Sequence, residues 1–309
     1  MEHSLRGVFV DANEALAVIF ERLAKPGDPE VRIHRDPDVT PDQLPTVLAG
    51  GQIAVIDHTA LPTEIASKCV GLKHVVFLGT GARSYMNPDE LAELGIAVHL
   101  IRGYGDTAVA ECAIALMWAA ARGIAQMDRE MRAGNWLRED GMQLTGKTLG
   151  LIGFGGIAAE VARIAHGSGM RVLAWNRTPK SSGGASFVSL DKLLAESDVV
   201  SLHLLLNDET RGFLSSQRIA AMKPGVILVN TARGALVDEA AMIEALRSNH
   251  IRHAGLDVFN IEPLPVDHPL IKLPNVTLSA HSAFRTPEAS ENLIGAAWEH
   301  CRRIARGYV

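Results

Sequence analysis

Three stretches in the last third of the chain each end an apolar run beside a residue suited to chemistry. Val226-Ile-Leu-Val-Asn-Thr-Ala-Arg233 closes on a guanidinium, Ala254-Gly-Leu-Asp-Val258 leads to Glu262, and Val276-Thr-Leu-Ser279 leads to His281. An arginine offers a planar fork of donors that fits a carboxylate. A histidine exchanges a proton near neutral pH, and an acid beside it can orient the ring. Each residue also has a plain reading: a surface ion pair, loop punctuation before a proline, a structural hydrogen-bonder. Ligands of open α/β sheets collect beyond the carboxyl ends of strands, so neighbouring strands would bring Arg233, Glu262 and His281 to one cleft.

A glycine turn precedes these stretches. Thr148-Leu-Gly-Leu-Ile152 reads as a buried strand and Ile157 to Ala165 as the helix after it. In the turn Gly153-Phe154-Gly155-Gly156-Ile157, Gly153 permits the sharp bend and Gly155 lets a pyrophosphate approach the backbone. Ala158 takes the helix-packing place, and free N–H groups at the helix start face the anion. The next strand runs Val172-Leu-Ala-Trp-Asn-Arg-Thr178. A dinucleotide fold places an acid for the ribose hydroxyls near this tip, roughly 20 residues after the turn. Here Asn176, Arg177 and Thr178 stand instead: no repulsion for a 2′-phosphate, a planar cation and a hydroxyl donor. The reading favoured is NADP, with NAD possible; the alternative is an exposed arginine on an NAD enzyme.

The elements that must position these residues alternate between short β-rich runs and helical patterns, which predicts an α/β fold with parallel sheets. Early strands are expected at Gly7–Val10, Glu30–His34, Gln52–Asp57, Lys73–Leu78 and Ile96–Leu100. Helices are expected near Asn13–Ala24, Pro41–Leu48, Pro62–Cys69 and Pro88–Leu94. A long Ala-rich helix, Asp106 to Ala133, opens a second series. Its further strands are Arg171–Ala174, Asp198–His203, Val226–Asn230, Ala254–Val258 and Val276–Ser279. The last helix, Pro287 to Arg306, follows that series and is expected to return to the first domain.

The 309 residues allow about two domains. A net charge of −5 argues against a nucleic-acid partner. The N-terminal run has acids on both sides of its apolar core and is not read as a secretory signal. The apolar stretch Val109–Ala121 is too short to span a bilayer, so no membrane is expected. The 3 cysteines, Cys69, Cys112 and Cys301, form no CxxC pair and read as reduced thiols of a cytoplasmic protein. No metal is assigned.

Together with Leu144-Thr-Gly-Lys-Thr-Leu-Gly150 and Asn230-Thr-Ala-Arg-Gly-Ala-Leu-Val-Asp-Glu239, these motifs resemble the D-isomer-specific 2-hydroxyacid dehydrogenase family over nearly the whole chain. That family includes glyoxylate/hydroxypyruvate reductases and D-lactate, formate and phosphoglycerate dehydrogenases. The resemblance implies a flavodoxin-like substrate domain, residues 1–100 and 285–309, and a Rossmann cofactor domain, 101–284, that carries a homodimer contact. It implies hydride transfer between NADPH or NADH and a small 2-keto acid, glyoxylate or hydroxypyruvate first. Arg233 would hold the carboxylate and polarise the keto oxygen, His281 would protonate that oxygen, and Glu262 would orient His281. Thr80 and Gly81 would meet the substrate carboxylate through backbone N–H groups. Asp257 would bind the nicotinamide carboxamide, with Thr231 and Ala232 along the same wall.

The sequence departs from the pattern in places. Arg83 and Tyr85 follow the Leu78-Gly-Thr-Gly81 loop, either to read the distal end of a substrate or as surface. Leu205 and Asn207 replace a usual Pro and Thr over the adenine. Trp136 either reaches a partner subunit or packs at home. A nucleotide-sensing interaction protein of the corepressor type is the alternative; long tails would favour it, and this chain ends soon after its last expected helix.

Overall fold

The computed structural model describes residues 5–178 and 184–308; the start of the amino-terminal segment read above, residues 1–4, lies outside these. The chain divides into one unit of Met1–Gly105 with Thr286–Val309 and another of Asp106–Arg285. Each is built on a parallel sheet with helices between its strands, as the alternating pattern predicts.

In the first unit the strands are β1 (Arg6–Phe9), β2 (Glu30–Ile33), β3 (Ile53–Ile56), β4 (His74–Phe77) and β5 (Ala97–Leu100), in the order β2-β1-β3-β4-β5. Every residue of β3 is buried, as expected for a strand covered on both faces. The helix Glu14–Leu23 starts where Asn13 accepts a hydrogen bond from the Leu16 N–H. The closing helix Pro287–Ala305 is capped by Thr286 and packs on that first helix. Trp298, 3% exposed, stacks near Phe20 and donates its indole N–H to the Phe20 carbonyl at 2.9 Å.

The second unit contains β6 (Thr148–Ile152), β7 (Arg171–Trp175), β8 (Ser186–Phe187), β9 (Val199–Leu202), β10 (Val226–Asn230), β11 (Ile251–Leu256) and β12 (Val276–Leu278). Their order is β12-β11-β10-β9-β6-β7-β8, with every pairing parallel. The order reverses at β6, which lies between β7 and β9, and such a switch point opens a crevice at the strands' carboxyl ends. The helix Asp106–Arg122 covers one face through Ala110, Ala113, Ala120 and Ala121. These small side chains allow an approach so close that a Cβ on Gly255 of β11 would lie 2.9 Å from the Leu116 Cβ.

Several expectations are corrected. The long helix ends at Arg122, and a separate helix runs Ile124–Arg132 at 65° to it. Gly123 sits between them with φ +61°, a left-handed conformation that ends a helix readily only at glycine. The helix expected at Pro41–Leu48 is a 3₁₀ turn, Pro41–Gln43, followed by one turn, Leu44–Val47, and the one at Pro62–Cys69 shrinks to Thr63–Ala66. Prolines at the starts of these turns set φ but leave too few residues for propagation. The edge strand β8 was not expected; it has only 2 residues, too few for a periodic signal. No single helix among the described residues is long and apolar enough to cross a membrane.

Candidate active site

The pairings place Asn230 of β10 beside Leu256 of β11, and Leu256 beside Leu278 of β12. The segments leaving these strand ends carry Arg233, Glu262 and His281. Glu262 accepts from His281 Nδ1 through Oε2 at 2.6 Å and from the Phe259 N–H through Oε1 at 2.8 Å. The ring is therefore held on one nitrogen, and its Nε2 is left to other chemistry. Both side chains are about one-third exposed, at 37% for His281 and 34% for Glu262.

The segment carrying Arg233 approaches the one carrying Glu262 through backbone. Asn230, 1% exposed, accepts from the Ala232 N–H at 3.0 Å and donates to the Arg233 carbonyl at 2.9 Å, folding the chain tightly after β10. The next residue, Gly234, lies so close to Phe259 that a Cβ there would meet its carbonyl carbon at 2.1 Å. Only a residue without a side chain lets these segments touch. The guanidinium is exposed, bonded through Nη1 to the Ala232 carbonyl, with the rest of its fork open to a ligand.

His281 has φ +47°, an uncommon conformation for a residue with a Cβ. Asp257, fully buried, holds it there. One carboxylate oxygen accepts from the Ser279 hydroxyl and from the Ser282 N–H at 3.0 Å, the other from the Ala283 N–H at 3.0 Å. Its carbonyl accepts from the His281 N–H at 2.8 Å. Its carboxylate is thus bonded to the loop carrying His281. Cys112 lies near Asp257 and Ser279, and burial, with Asp257 adding to it and the Ser279 hydrogen bond opposing, pushes its thiol up to about 11, which favours the neutral thiol.

At the switch point, Gly153 has φ +90° and a Cβ there would lie 2.6 Å from the His203 carbonyl oxygen. A Cβ on Gly155 would meet nothing within 4 Å, so the turn borders open space where a pyrophosphate fits. Helix Gly156–Gly167 follows, with Ile157 in its first turn and Ala158 fully buried. Phe154 is buried, and its N–H donates to Asn176 Oδ1 at 3.3 Å, which fastens the β7 tip to the turn. Asn176 also donates to the Thr178 carbonyl at 2.7 Å. Thr231 is 8% exposed, and its hydroxyl is the one buried side-chain polar atom without a partner among the described residues. An orphaned buried hydroxyl is costly unless a ligand satisfies it. An open glycine turn, a helix start without a side-chain cap and an unsatisfied buried hydroxyl fit a dinucleotide.

Arg177 projects from the β7 tip and bonds Glu209 through Nη1 at 2.6 Å. Glu209, which sequence reasoning passed over, stands in the segment after β9; nothing local marks it, because its partner is 32 residues away. Asp106, also passed over, lies so near Gly156 that a Cβ there would strike its carboxylate. Thr80, Gly81 and Arg83 belong to the other unit, on the segment leaving β4. Arg83 there pairs with Asp89 at 2.8 Å, and Tyr85 lies against Phe77.

A doubly wound sheet with this turn, and an Arg, Glu and His on adjacent strand ends, defines a dinucleotide-dependent oxidoreductase. Residues 114–283 match the NAD binding domain of D-isomer specific 2-hydroxyacid dehydrogenases. A D-3-phosphoglycerate dehydrogenase of Archaeoglobus fulgidus is 38% identical over 82% of this chain but only 49% of its own length. A hydroxypyruvate reductase of Thermotoga maritima is 38% identical over 82% of this chain and 84% of its own. A glyoxylate reductase structure from Paecilomyes thermophila superposes with a TM-score of 0.87 at 31% identity, covering 98% of this chain and 96% of that one. The chain belongs to the D-isomer specific 2-hydroxyacid dehydrogenase family.

Proposed function

We infer that this protein is an NADPH-preferring reductase of small 2-keto acids, with glyoxylate and hydroxypyruvate as first substrates and NADH as a second cofactor. The observation that carries the reading is His281 tied on Nδ1 to Glu262, with Nε2 free, on a strand end next to those of Glu262 and Arg233. The hydroxypyruvate and glyoxylate reductases among its relatives support the substrate class and favour turnover over a sensing role.

Bound reduced nicotinamide supplies a hydride to the keto carbon. Arg233 holds the substrate carboxylate in its fork and places a donor at the keto oxygen. Because the Nδ1–H is held in a hydrogen bond to Glu262, the transferable proton is the one on Nε2 of the imidazolium. His281 donates it to the oxygen and becomes neutral, with Nδ1–H still bonded to Glu262; in the oxidative direction Nε2 takes the proton back. In the first unit, the backbone N–H groups of Thr80 and Gly81 are our candidates for a substrate-carboxylate contact, and Arg83 and Tyr85 for a contact to a substrate's distal end.

Arg177, with Thr178, takes the 2′-phosphate. Exposed Ile124, Met131 and Trp136 support a homodimer through the cofactor unit, and three free thiols suit a cytoplasmic location. The test follows consumption of NADPH and NADH at equal concentration with each keto acid. A higher kcat/KM with NADPH is expected, and Arg177→Ala should weaken NADPH roughly 10-fold or more while NADH changes little. Preference for NADH in the unaltered protein would overturn the cofactor assignment.

A further inference from the structure

The tip of β7 lacks the acid that reads a ribose in NAD-binding sheets, yet a carboxylate stands there. Glu209 reaches it from the segment after β9, with Oε2 2.6 Å from Arg177 Nη1. Both side chains are largely exposed, 79% for Arg177 and 72% for Glu209, and neither has a second ion-pair partner among the described residues.

The segment that delivers Glu209 is stiff. The Asn207 N–H donates to Thr210 Oγ1 at 2.8 Å, the Thr210 N–H to Asn207 Oδ1 at 3.0 Å, and the Thr210 hydroxyl to the Leu205 carbonyl at 2.6 Å. The Gly212 N–H is anchored on the Ala235 carbonyl at 2.8 Å. Phe213 then packs on Trp175, the residue before Asn176, with ring centroids 5.2 Å apart, and the Arg218 guanidinium lies over the Phe213 ring at 4.0 Å. The Trp175–Phe213 contact ties the segment to the same β7 tip that carries Arg177. Glu209 is thus presented to the tip by fixed backbone, while the two charged ends remain in water.

We propose that Arg177 and Glu209 form a two-way selector at the adenosine ribose, which rests on the NADPH reading above. With NADPH, the 2′-phosphate displaces Glu209 from the Arg177 fork. An exposed pair is worth little, so the exchange is cheap, but the displaced carboxylate still repels the phosphate. With NADH, Glu209 supplies the acceptor for the ribose hydroxyls that the β7 tip lacks. The chain therefore carries recognition for both cofactors, split between two segments, and the acid weakens one cofactor while strengthening the other.

The experiment measures Kd for NADPH and NADH by fluorescence titration at low salt on the unaltered protein, Glu209→Gln and Arg177→Ala. Glu209→Gln should tighten NADPH about 2- to 5-fold and weaken NADH about 3- to 10-fold, and 0.5 M salt should shrink the NADPH gain. Opposite movements of two ligands on one variant cannot come from misfolding. If Glu209→Gln leaves both constants within twofold, or moves them in the same direction, the selector is refuted while NADPH preference stands. If Arg177→Ala leaves NADPH binding intact, the NADPH reading itself fails and the exchange with it, whatever Glu209 does for NADH.

Discussion

Glu262 is tied at both carboxylate oxygens, to His281 and to the Phe259 N–H, so neither the acid nor the ring can drift. That separates two effects at the level of single residues. His281→Ala removes the proposed proton donor and should lower kcat roughly 10²- to 10⁴-fold, with cofactor Kd nearly unchanged. Glu262→Gln keeps the shape but removes the charge facing the imidazolium, and should cost about 10- to 100-fold in kcat with little change in KM. Stopped-flow hydride transfer and cofactor titration distinguish these from misfolding. A His281→Ala variant that kept most of its turnover would end the assignment of the proton to His281.

For the elements, what matters is how closely β10 and β11 let their following segments approach. Gly234 touches the Phe259 backbone, and Phe259 in turn holds Glu262. Adding one methyl at Gly234 must push the Arg233 segment away from the Glu262 segment. Gly234→Ala should cost about 1–3 kcal/mol of stability by overpacking. It should also cut kcat/KM at least ~10-fold, because misplacing a catalytic group by an ångström is that expensive. Thermal melts and keto acid kinetics read the two effects, and wild-type kinetics would show that the close approach does not align the site.

At the scale of the whole molecule, the first unit is completed by the far end of the chain. The closing helix brings His300 to within 5.6 Å, ring to ring, of His99 on β5, whose Nε2 lies 3.3 Å from His74 Nδ1 on β4. Burial first, then the neighbouring His74, His300 and Arg303, pushes His99 down to about 4, and burial lowers His74 and His300 as well. Lys73 adds to the lowering at His74 and Arg303 at His300, while Glu299 opposes it at His300. The folded chain keeps His99 neutral where the unfolded chain, with its ordinary value near 6.5, takes up a proton. The stability this contributes is full above pH 6.5 and is lost as the pH falls toward 4. Melting temperature should therefore drop across that window, and His99→Gln should flatten the drop; an unchanged slope would clear the cluster of any part in acid lability.

The sequence by itself determined the α/β class, the glycine turn and the candidate residues for the chemistry, because alternation, turn glycines and strand-end polar residues are local signals. It pointed to Arg233, Glu262 and His281 as a set, but that their strands are neighbours follows from strand order. Only the folded sheet sets β10, β11 and β12 side by side. The break at Gly123 escaped notice because the apolar period runs on through it, and no period records a positive φ. The bonds that the loop over Asp257 makes to its carboxylate join segments 22 to 26 residues apart, so no local pattern records them. Glu209 carries no signal of its own, because its role comes from an arginine on another strand's tip. Ion pairs and buried clamps are made between segments distant in the chain, so tertiary structure decided them.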